Sequence, residues 1–315
     1  MNPVLLISLL LLPNMCSTSA APSLAASPVT AGAPPVSSTT RPAFGVMSYN
    51  LSQPAATYVM PSELAELSGI ALDGPNGITG VEDETGNLYH YSLTSRKLER
   101  TVKFAGNGDF EDLAGVGNDW FILRSDGTLF QYNGTTTQEF ETGLTFANEP
   151  EGLAYDAATK TLLVACKGDA GANLPATKRA VYRLQRGTYR AETKPAFVLD
   201  IAAIGTALPT EVPETKQSGK KAGKKGSTKA SSRGFAPSAV AVHPRTSHVF
   251  VLSARQNTLV ELSPTGELIA AQSLPTDLFP QPEGLAFAPD GSMYIATEAG
   301  KKSGQASIYL FRTAR

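Results

Sequence analysis

The heptapeptide PEGLAYD at Pro150–Asp156 returns as PEGLAFAPD at Pro282–Asp290. In both copies a glutamate precedes a Gly-Leu-Ala run that is typical of a buried strand. A turn would explain one such charge, but its recurrence in the same local pattern indicates one position of a repeated unit. Five segments share the pattern: LSGIALD at Leu67, FEDLAGV at Phe110, PEGLAYD at Pro150, PSAVAVH at Pro237 and PEGLAFA at Pro282. Their equivalent positions, here called the anchors, are Ser68, Glu111, Glu151, Ser238 and Glu283.

Each anchor is followed by three apolar or alternating runs that predict β-strands. The second runs are GITGVED, DWFILRS, TLLVACK, HVFVLSA and SMYIATE, and the third are NLYHYSL, TLFQYNG, AVYRLQR, TLVELSP and SIYLFRT. Turns such as RSDGTL and SPTGEL supply hairpin chemistry. Anchor intervals of 43, 40, 87 and 45 residues predict an all-β fold, a five-bladed β-propeller of four-stranded antiparallel blades, with six blades as the competitor.

The ends of the chain predict how the ring closes. The last unit ends after its third strand, whereas the segment MSYNLSQPAATYVM, from Met47 to Met60, precedes the first anchor and has the character of an unpaired strand. We therefore expect this N-terminal strand to complete the last blade, which would protect an open sheet edge.

The composition excludes several classes of protein. The chain has 315 residues, 42% of them hydrophobic, with 17% charged and a formal net charge of -1. No specific nucleic acid or anionic membrane surface is indicated as a partner. The two cysteines, Cys16 and Cys166, exclude a disulfide framework, and Cys166 is interpreted as a small buried strand residue and not a nucleophile.

The N-terminal residues predict export. The apolar run from Pro3 to Leu12 is too short to span a bilayer and is followed by small residues, so residues 1–21 are interpreted as a signal peptide. Lipidation at Cys16 is the alternative. Residues 22–42 form a predicted flexible tether rich in Ala, Pro, Ser and Thr, and 43–315 form the propeller. We expect a periplasmic or extracellular monomer, loosely associated with the envelope at most, without a transmembrane span.

The five anchors predict a functional site. The first strand of each propeller blade lines the central channel, so the anchors should form a ring at one mouth, surrounded by the ends of the second strands: Glu82, Asp83, Arg124, Lys167, Arg255 and Glu298. Three converging carboxylates, Glu111, Glu151 and Glu283, repel one another unless a cation lies between them, and calcium accepts such oxygen ligands. Zinc is disfavoured, because His90, His243 and His248 do not share the ring position. The alternative is structural pairing of the glutamates with backbone amides or with Arg124 and Lys167.

The chain resembles the SdiA-regulated family of exported bacterial propellers, which is distantly related to NHL-repeat proteins. The resemblance is carried by LSGIA, DFEDLAGVGNDWFIL, PEGLAYDAATKTLLV, SAVAVHPRTSHVFVLSARQNTLVEL and PQPEGLAFAPDGSMYIATE, which together cover most of Leu67–Arg312. It implies a five-bladed propeller with bound calcium and no established catalytic activity. The family's acidic or Ser-Gly anchors match Ser68–Gly69, Glu111, Glu151, Glu283 and, after the second strand, Glu298. The chain departs from the family pattern at Ala239, Lys167 and Arg255.

A lysine-rich stretch separates the third unit from the fourth. It runs from about residue 206 to 233 and is predicted to be a disordered insertion on the face of the glutamate ring. A solvated loop is the simpler interpretation. The alternative is an anion-binding arm for an anionic polymer, lipid headgroups or an acidic partner, with Lys220, Lys221, Lys224 and Lys225 at its centre.

Three hypotheses for function follow from these features. The first is an exported calcium-binding propeller that acts without catalysis as a binding or interaction module for an unknown ligand or protein at the cell envelope. The second is a calcium-dependent hydrolase of the lactonase or phytase-like phosphoesterase type, with Glu298 or Glu82 as the base. The third is a structural scaffold without metal.

Overall fold

The computed structural model describes residues 47–171, 173–208, 234–300 and 304–313. The predicted signal peptide (1–21), the predicted tether (22–42) and the four central lysines of the insertion lie outside the described residues.

Twenty strands form five separate four-stranded sheets, each antiparallel throughout. Blade 1 contains β2 (Leu67–Leu72), β3 (Gly77–Glu82), β4 (Asn87–Ser92) and β5 (Lys97–Lys103). Blade 2 contains β6 (Phe110–Val116), β7 (Asp119–Arg124), β8 (Thr128–Tyr132) and β9 (Thr137–Glu141). Blade 3 contains β10 (Pro150–Asp156), β11 (Thr161–Cys166), β12 (Lys178–Arg183) and β13 (Phe197–Asp200). Blade 4 contains β14 (Ala239–Val242), β15 (Val249–Ser253), β16 (Thr258–Leu262) and β17 (Leu268–Ser273).

Blade 5 closes the ring with both ends of the chain. It contains β18 (Pro282–Phe287), β19 (Met293–Thr297), β20 (Ser307–Phe311) and, at its outer edge, β1 (Ala56–Val59). Strand β1 pairs antiparallel with β20 from Ala56 opposite Leu310 to Val59 opposite Ser307. The predicted five blades and the predicted closure by the N-terminal strand are both confirmed.

The core is divided into five apolar clusters, one between each pair of neighbouring blades. Between blades 1 and 2, for example, the rings of Phe104 and Phe110 meet edge to face at 4.9 Å, and Phe110 meets Phe130 at 5.6 Å. Such aromatic pairs stabilise a core beyond their burial by about 0.5–1.5 kcal/mol each. No single central core exists among these clusters, so the blades hold together as a closed ring of interfaces.

The innermost strands approach one another closely, which explains the small residue after most anchors. An ideal Cβ on Gly69 would lie 2.6 Å from the Cα of Asp112 in blade 2, and one on Gly152 would lie 3.0 Å from the Cα of Ala239 in blade 4. Five inner strands crowd around one axis, and a side chain at this position would push neighbouring blades apart.

Two helical segments interrupt the strands. A short 3-10 helix, Ser62–Leu64, precedes β2, and α1 (Ile201–Ala207) follows β13. Asp200 caps α1 by accepting hydrogen bonds from the backbone amides of Ala202 (2.9 Å) and Ala203 (3.3 Å). The start predicted for the insertion, at about 206, therefore falls inside a capped helix, and residues 209–233 lie outside the described part. None of the helices in the described residues is long and apolar enough to cross a membrane.

Candidate functional site at the channel mouth

The anchors stand at a β-bulge, repeated from blade to blade. The register between the first and second strands shifts between Leu67 and Gly69, and it shifts at the same place in β6, β10 and β18. The residues inside these shifts are Ser68, Glu111, Glu151 and Glu283. A bulge leaves its extra residue out of the ladder and re-aims its side chain. Ser238, the fifth anchor, directly precedes β14.

The three glutamates share one electrostatic environment. Burial, then the charges of Glu151 and Asp109, raise the pKa of Glu111 to about 9. Burial, then Glu151 and Glu298, raise the pKa of Glu283 to about 8. Burial also raises the pKa of Glu151. The charges of these glutamates therefore act on one another, and this repulsion favours protons or a bound cation there. Convergence of the three carboxylates on one ion stays a prediction.

The positive charge of Lys167 acts on all three carboxylates. Its Nζ lies 2.8 Å from Oε1 of Glu151 and donates a hydrogen bond to it. Burial alone would lower the pKa of Lys167, but Glu151, Glu283 and Glu111 together raise it. Three carboxylates and one ammonium carry a formal charge of -2 when all are ionised. The structural pairing considered above thus holds for Lys167, which neutralises only part of the cluster.

Arg124 does not take part in that pairing. Its guanidinium donates to the Asp126 carboxylate at 2.8 Å from Nη2 and 3.0 Å from Nε, and to Thr128 Oγ1 at 3.0 Å. The Arg124 guanidinium at the end of β7 therefore stabilises the turn that follows this strand and adds no positive charge to the channel mouth.

The acidic ends of the second strands in blades 1 and 5 differ in their surroundings. The Glu82 carboxylate accepts hydrogen bonds from the backbone amides of Glu84 and Thr85, both at 2.9 Å, and closes the following turn. Burial, then Glu66, raise the pKa of Asp83 to about 6, and its Oδ1 is buried without a partner. Burial, then Asp83, raise the pKa of Glu298 to about 7. Of the two candidate bases predicted from the sequence, Glu298 interacts with the charged groups of the channel mouth, whereas the Glu82 carboxylate is hydrogen-bonded within the turn.

The two serine anchors serve the backbone. Ser68 Oγ donates to the carbonyl of Glu66 at 3.2 Å. Ser238 Oγ donates to the carbonyl of Pro282 at 2.9 Å and accepts from the amide of Ala254 at 3.1 Å, which joins blade 4 to blade 5. The Ser238 hydroxyl therefore links two blades, whereas the Ser68 hydroxyl stabilises its own segment.

Asp112, which sequence reasoning missed, is the most buried charge near the axis. Its relative exposure is 1%, and its carboxylate accepts from the amides of Leu113 (2.8 Å) and Leu153 (2.7 Å). Burial raises the pKa of Asp112 well above its ordinary value, although both amides oppose the shift. A signal was present in the sequence, because Asp112 stands where the other units have Gly69, Gly152, Ala239 and Gly284. Its role is to bridge blades 2 and 3.

The donor chemistry of the mouth suits a hard cation, but the side chains are not arranged as a finished cage. Carboxylate oxygens are the ligands that calcium prefers. Within the described residues, no three His, Cys, Asp or Glu side chains are placed so as to hold a metal ion. The histidines lie elsewhere: His90 contacts Asp73 (2.9 Å), and His248 contacts Glu261 (2.7 Å). To bind an ion, the anchor side chains would have to move, and the ion pair between Lys167 and Glu151 would have to break.

Two separate cavities lie at the two ends of the inner strands. A cavity of about 480 Å³ lies at the end opposite the anchors, and a smaller one of about 260 Å³ lies at the anchor end, where residues of blades 3, 4 and 5 line it. The smaller cavity is lined in part by Lys167, Ser238, Arg255, Gln281 and Glu283. A small ligand in this cavity would touch both acidic and basic groups.

Comparisons with known proteins place the chain in a family. A family model described as SdiA-regulated matches residues 63–300. No curated protein sequence gives a significant match. Among solved structures, the chain is similar to glutaminyl cyclase from Myxococcus xanthus, with a TM-score of 0.53 and 14% identity, over 82% of this chain and 95% of that chain. It is also similar to regucalcin from Agrobacterium tumefaciens, titled a calcium-binding protein, with a TM-score of 0.47 and 14% identity, over 80% of this chain and 92% of that chain.

At 14% identity the glutaminyl cyclase structure shows a common fold alone. The family model is more informative, since its span contains all five anchors, all of blades 1 to 4 and strands β18 and β19 of blade 5. The chain belongs to the SdiA-regulated family.

Proposed function

We propose that this propeller is an exported binding module whose anchor mouth holds a calcium ion through Glu111, Glu151 and Glu283. One observation carries the proposal: three glutamates occupy the same bulge position in three blades and repel one another, and the Lys167 ammonium is paired with Glu151. Once Glu111 and Glu283 release their protons, the three carboxylates and Lys167 carry a formal charge of -2, which matches a divalent cation.

Each residue has a defined part in this proposal. Glu111 and Glu283, whose pKa values lie at about 9 and about 8, hold protons at neutral pH and must release them to bind a cation. Glu151 is ion-paired with Lys167 and must exchange this partner. A bound calcium would supply a positive centre for ligand oxygen atoms. Binding should therefore weaken at low pH, because protons compete for the same carboxylates.

A binding role is favoured over covalent catalysis by the state of the obvious nucleophiles. The Ser68 and Ser238 hydroxyls donate to backbone carbonyls. Cys166 is fully buried, and burial raises the pKa of its thiol to about 12. None of these three groups is activated by a neighbouring base.

Calorimetric titration with calcium of protein stripped of metal on a chelating resin tests the proposal. The wild type should bind one calcium ion, and the E111Q/E151Q/E283Q variant should show no binding. A matched control, E63Q/E99Q/E139Q, changes three exposed glutamates and should bind as the wild type does. Equal calcium affinity in the anchor variant and the wild type would refute the site.

A calcium-dependent hydrolase of lactonase or phosphoesterase type is the second candidate. Glu298 favours it, because a carboxyl group with a pKa of about 7 is suited to act as a general base at neutral pH. A panel of lactones and phosphoesters, assayed with calcium and with chelator, tests it, with E298Q as the variant. Calcium-dependent turnover that E298Q abolishes would support the hydrolase, and its absence would retire it.

The scaffold hypothesis is favoured by the ion pair between Lys167 and Glu151 at 2.8 Å, in which the lysine takes the place of a metal. It predicts that the unfolding temperature is the same with calcium and with chelator, whereas a bound ion would raise it.

Export is tested separately by N-terminal sequencing of the mature protein from cell fractions. The mature protein should begin after residue 21.

A further inference from the structure

Two arginines come together on the anchor face, where blade 3 meets blade 4. Arg179 belongs to β12, and Arg255 follows β15, so both lie at the end of the blade that carries the anchors. Burial first, and then the charge of Arg255, lower the pKa of Arg179, while Glu149 opposes them. The charge of each guanidinium group therefore acts unfavourably on the other.

Neither arginine has a carboxylate partner within the described residues. Arg179 Nη1 donates to the carbonyls of Ala176 (2.9 Å) and Lys178 (2.7 Å), but its Nε is buried without an acceptor. Arg255 is exposed and makes no hydrogen bond or ion pair in the described part of the chain. Arg124, by contrast, is paired with Asp126. The positive charges of Arg179 and Arg255 are not balanced in this way.

Arg255 also lines the cavity of about 260 Å³ beside Glu283. The other lining cation, Lys167, is paired with Glu151 at 2.8 Å. Arg255 is therefore the cation of this cavity that has no carboxylate partner in the described residues. With about 30 Å³ for each water-sized group, the volume accommodates about eight such groups, more than a single inorganic ion needs.

We propose that this cavity binds the oxyanion of a small ligand, a carboxylate or a phosphate group, against Arg255. A planar guanidinium matches both groups through paired N–H donors. The site does not depend on calcium, because Arg255 is unpaired without it. It identifies the ligand of the module as a small anion whose remaining atoms extend over the cavity toward the anchors.

Calorimetry with two anions tests the site and shows whether it recognises a phosphate or a carboxylate group. Sodium phosphate and sodium succinate are titrated separately at constant ionic strength into protein stripped on a chelating resin, because soluble chelators are themselves anionic. At least one anion should bind saturably at one site, and the better one identifies the group. The R255Q variant should weaken that binding about tenfold or more, as expected for the loss of a charge-assisted hydrogen bond.

Arg186 is another exposed arginine of blade 3 without a hydrogen bond or ion pair among the described residues, and it provides the matched control. The R186Q variant should bind the anion as the wild type does. The proposal is overturned if neither anion binds saturably, if R255Q binds as tightly as the wild type, or if R186Q weakens binding as much as R255Q. A calcium titration of R255Q separates the two sites, since the anchors are unchanged and calcium binding should persist even if the anion site fails.

Discussion

Replacing Glu111 by glutamine should remove part of the stability that the metal-stripped protein loses as pH rises. Burial and neighbouring carboxylates raise the pKa of Glu111 from 4.5 to about 9 in the folded state. Between these values the folded protein binds a proton that the unfolded chain has released, so the wild type must lose stability as pH rises from about 5 to about 9. Glutamine keeps the shape of the side chain without ionising, and it should remove this contribution.

The size of the effect follows from the displacement of the pKa. Each pKa unit corresponds to about 1.4 kcal/mol, so the full displacement from 4.5 to about 9 corresponds to about 6 kcal/mol. Because the side chain retains some exposure, water screens part of the penalty, and we expect about 2–3 kcal/mol. The variant should match the wild type at pH 5 and exceed its free energy of unfolding by that amount at pH 9.

Denaturant unfolding at five pH values between 5 and 9 measures this difference. Glu139→Gln, at an exposed position on β9, is the control and should follow the wild type. Saturating calcium should raise the free energy of unfolding of the wild type at high pH, because the ion binds the ionised carboxylate. It should raise that of E111Q by less. A wild type whose stability rises through this range, or an E111Q variant with the same pH dependence, would refute the reasoning.

Three further predictions concern other parts of the fold. Asp112→Ala leaves its two backbone amide donors, including that of Leu153, without an acceptor and should lower the free energy of unfolding by about 2–5 kcal/mol, measured by denaturant titration. Gly152→Ala brings a methyl group against Ala239 of the next blade and should cost about 1–3 kcal/mol, measured as a lower unfolding midpoint. Cys166 should resist iodoacetamide in the native protein and react fully in denaturant, as mass spectrometry would show; native labelling would contradict its burial.

The blade count could be predicted because the repeat lies in the sequence itself. The sequence shows five anchors, each followed by strands, and one unpaired strand near the N-terminus. The simplest way to close the ring was to add that strand to the last blade, and β1 lies there. Helix α1 was missed because Ile201–Ala207 forms less than two full turns, too short for a helical period to be recognised. Its capping residue, Asp200, gave the one local signal.

The site was predictable in position but not in detail. Equivalent positions in the repeat indicated that Glu111, Glu151 and Glu283 share one mouth, since strand direction determines which end a residue occupies. Which charge pairs with which depends on side-chain reach across blades. Lys167 reaches Glu151, whereas Arg124 turns back to Asp126, and no pattern along one strand distinguishes these two outcomes.

The most direct test of the calcium proposal is a high-resolution crystal structure of the protein purified without chelator and grown with calcium. The proposal predicts an ion at the anchor mouth with an anomalous signal appropriate to calcium, bound by carboxylate oxygens of Glu111, Glu151 and Glu283 at about 2.3–2.6 Å, and Lys167 displaced from Glu151. Density for water alone, with Lys167 still bound to Glu151, would contradict it.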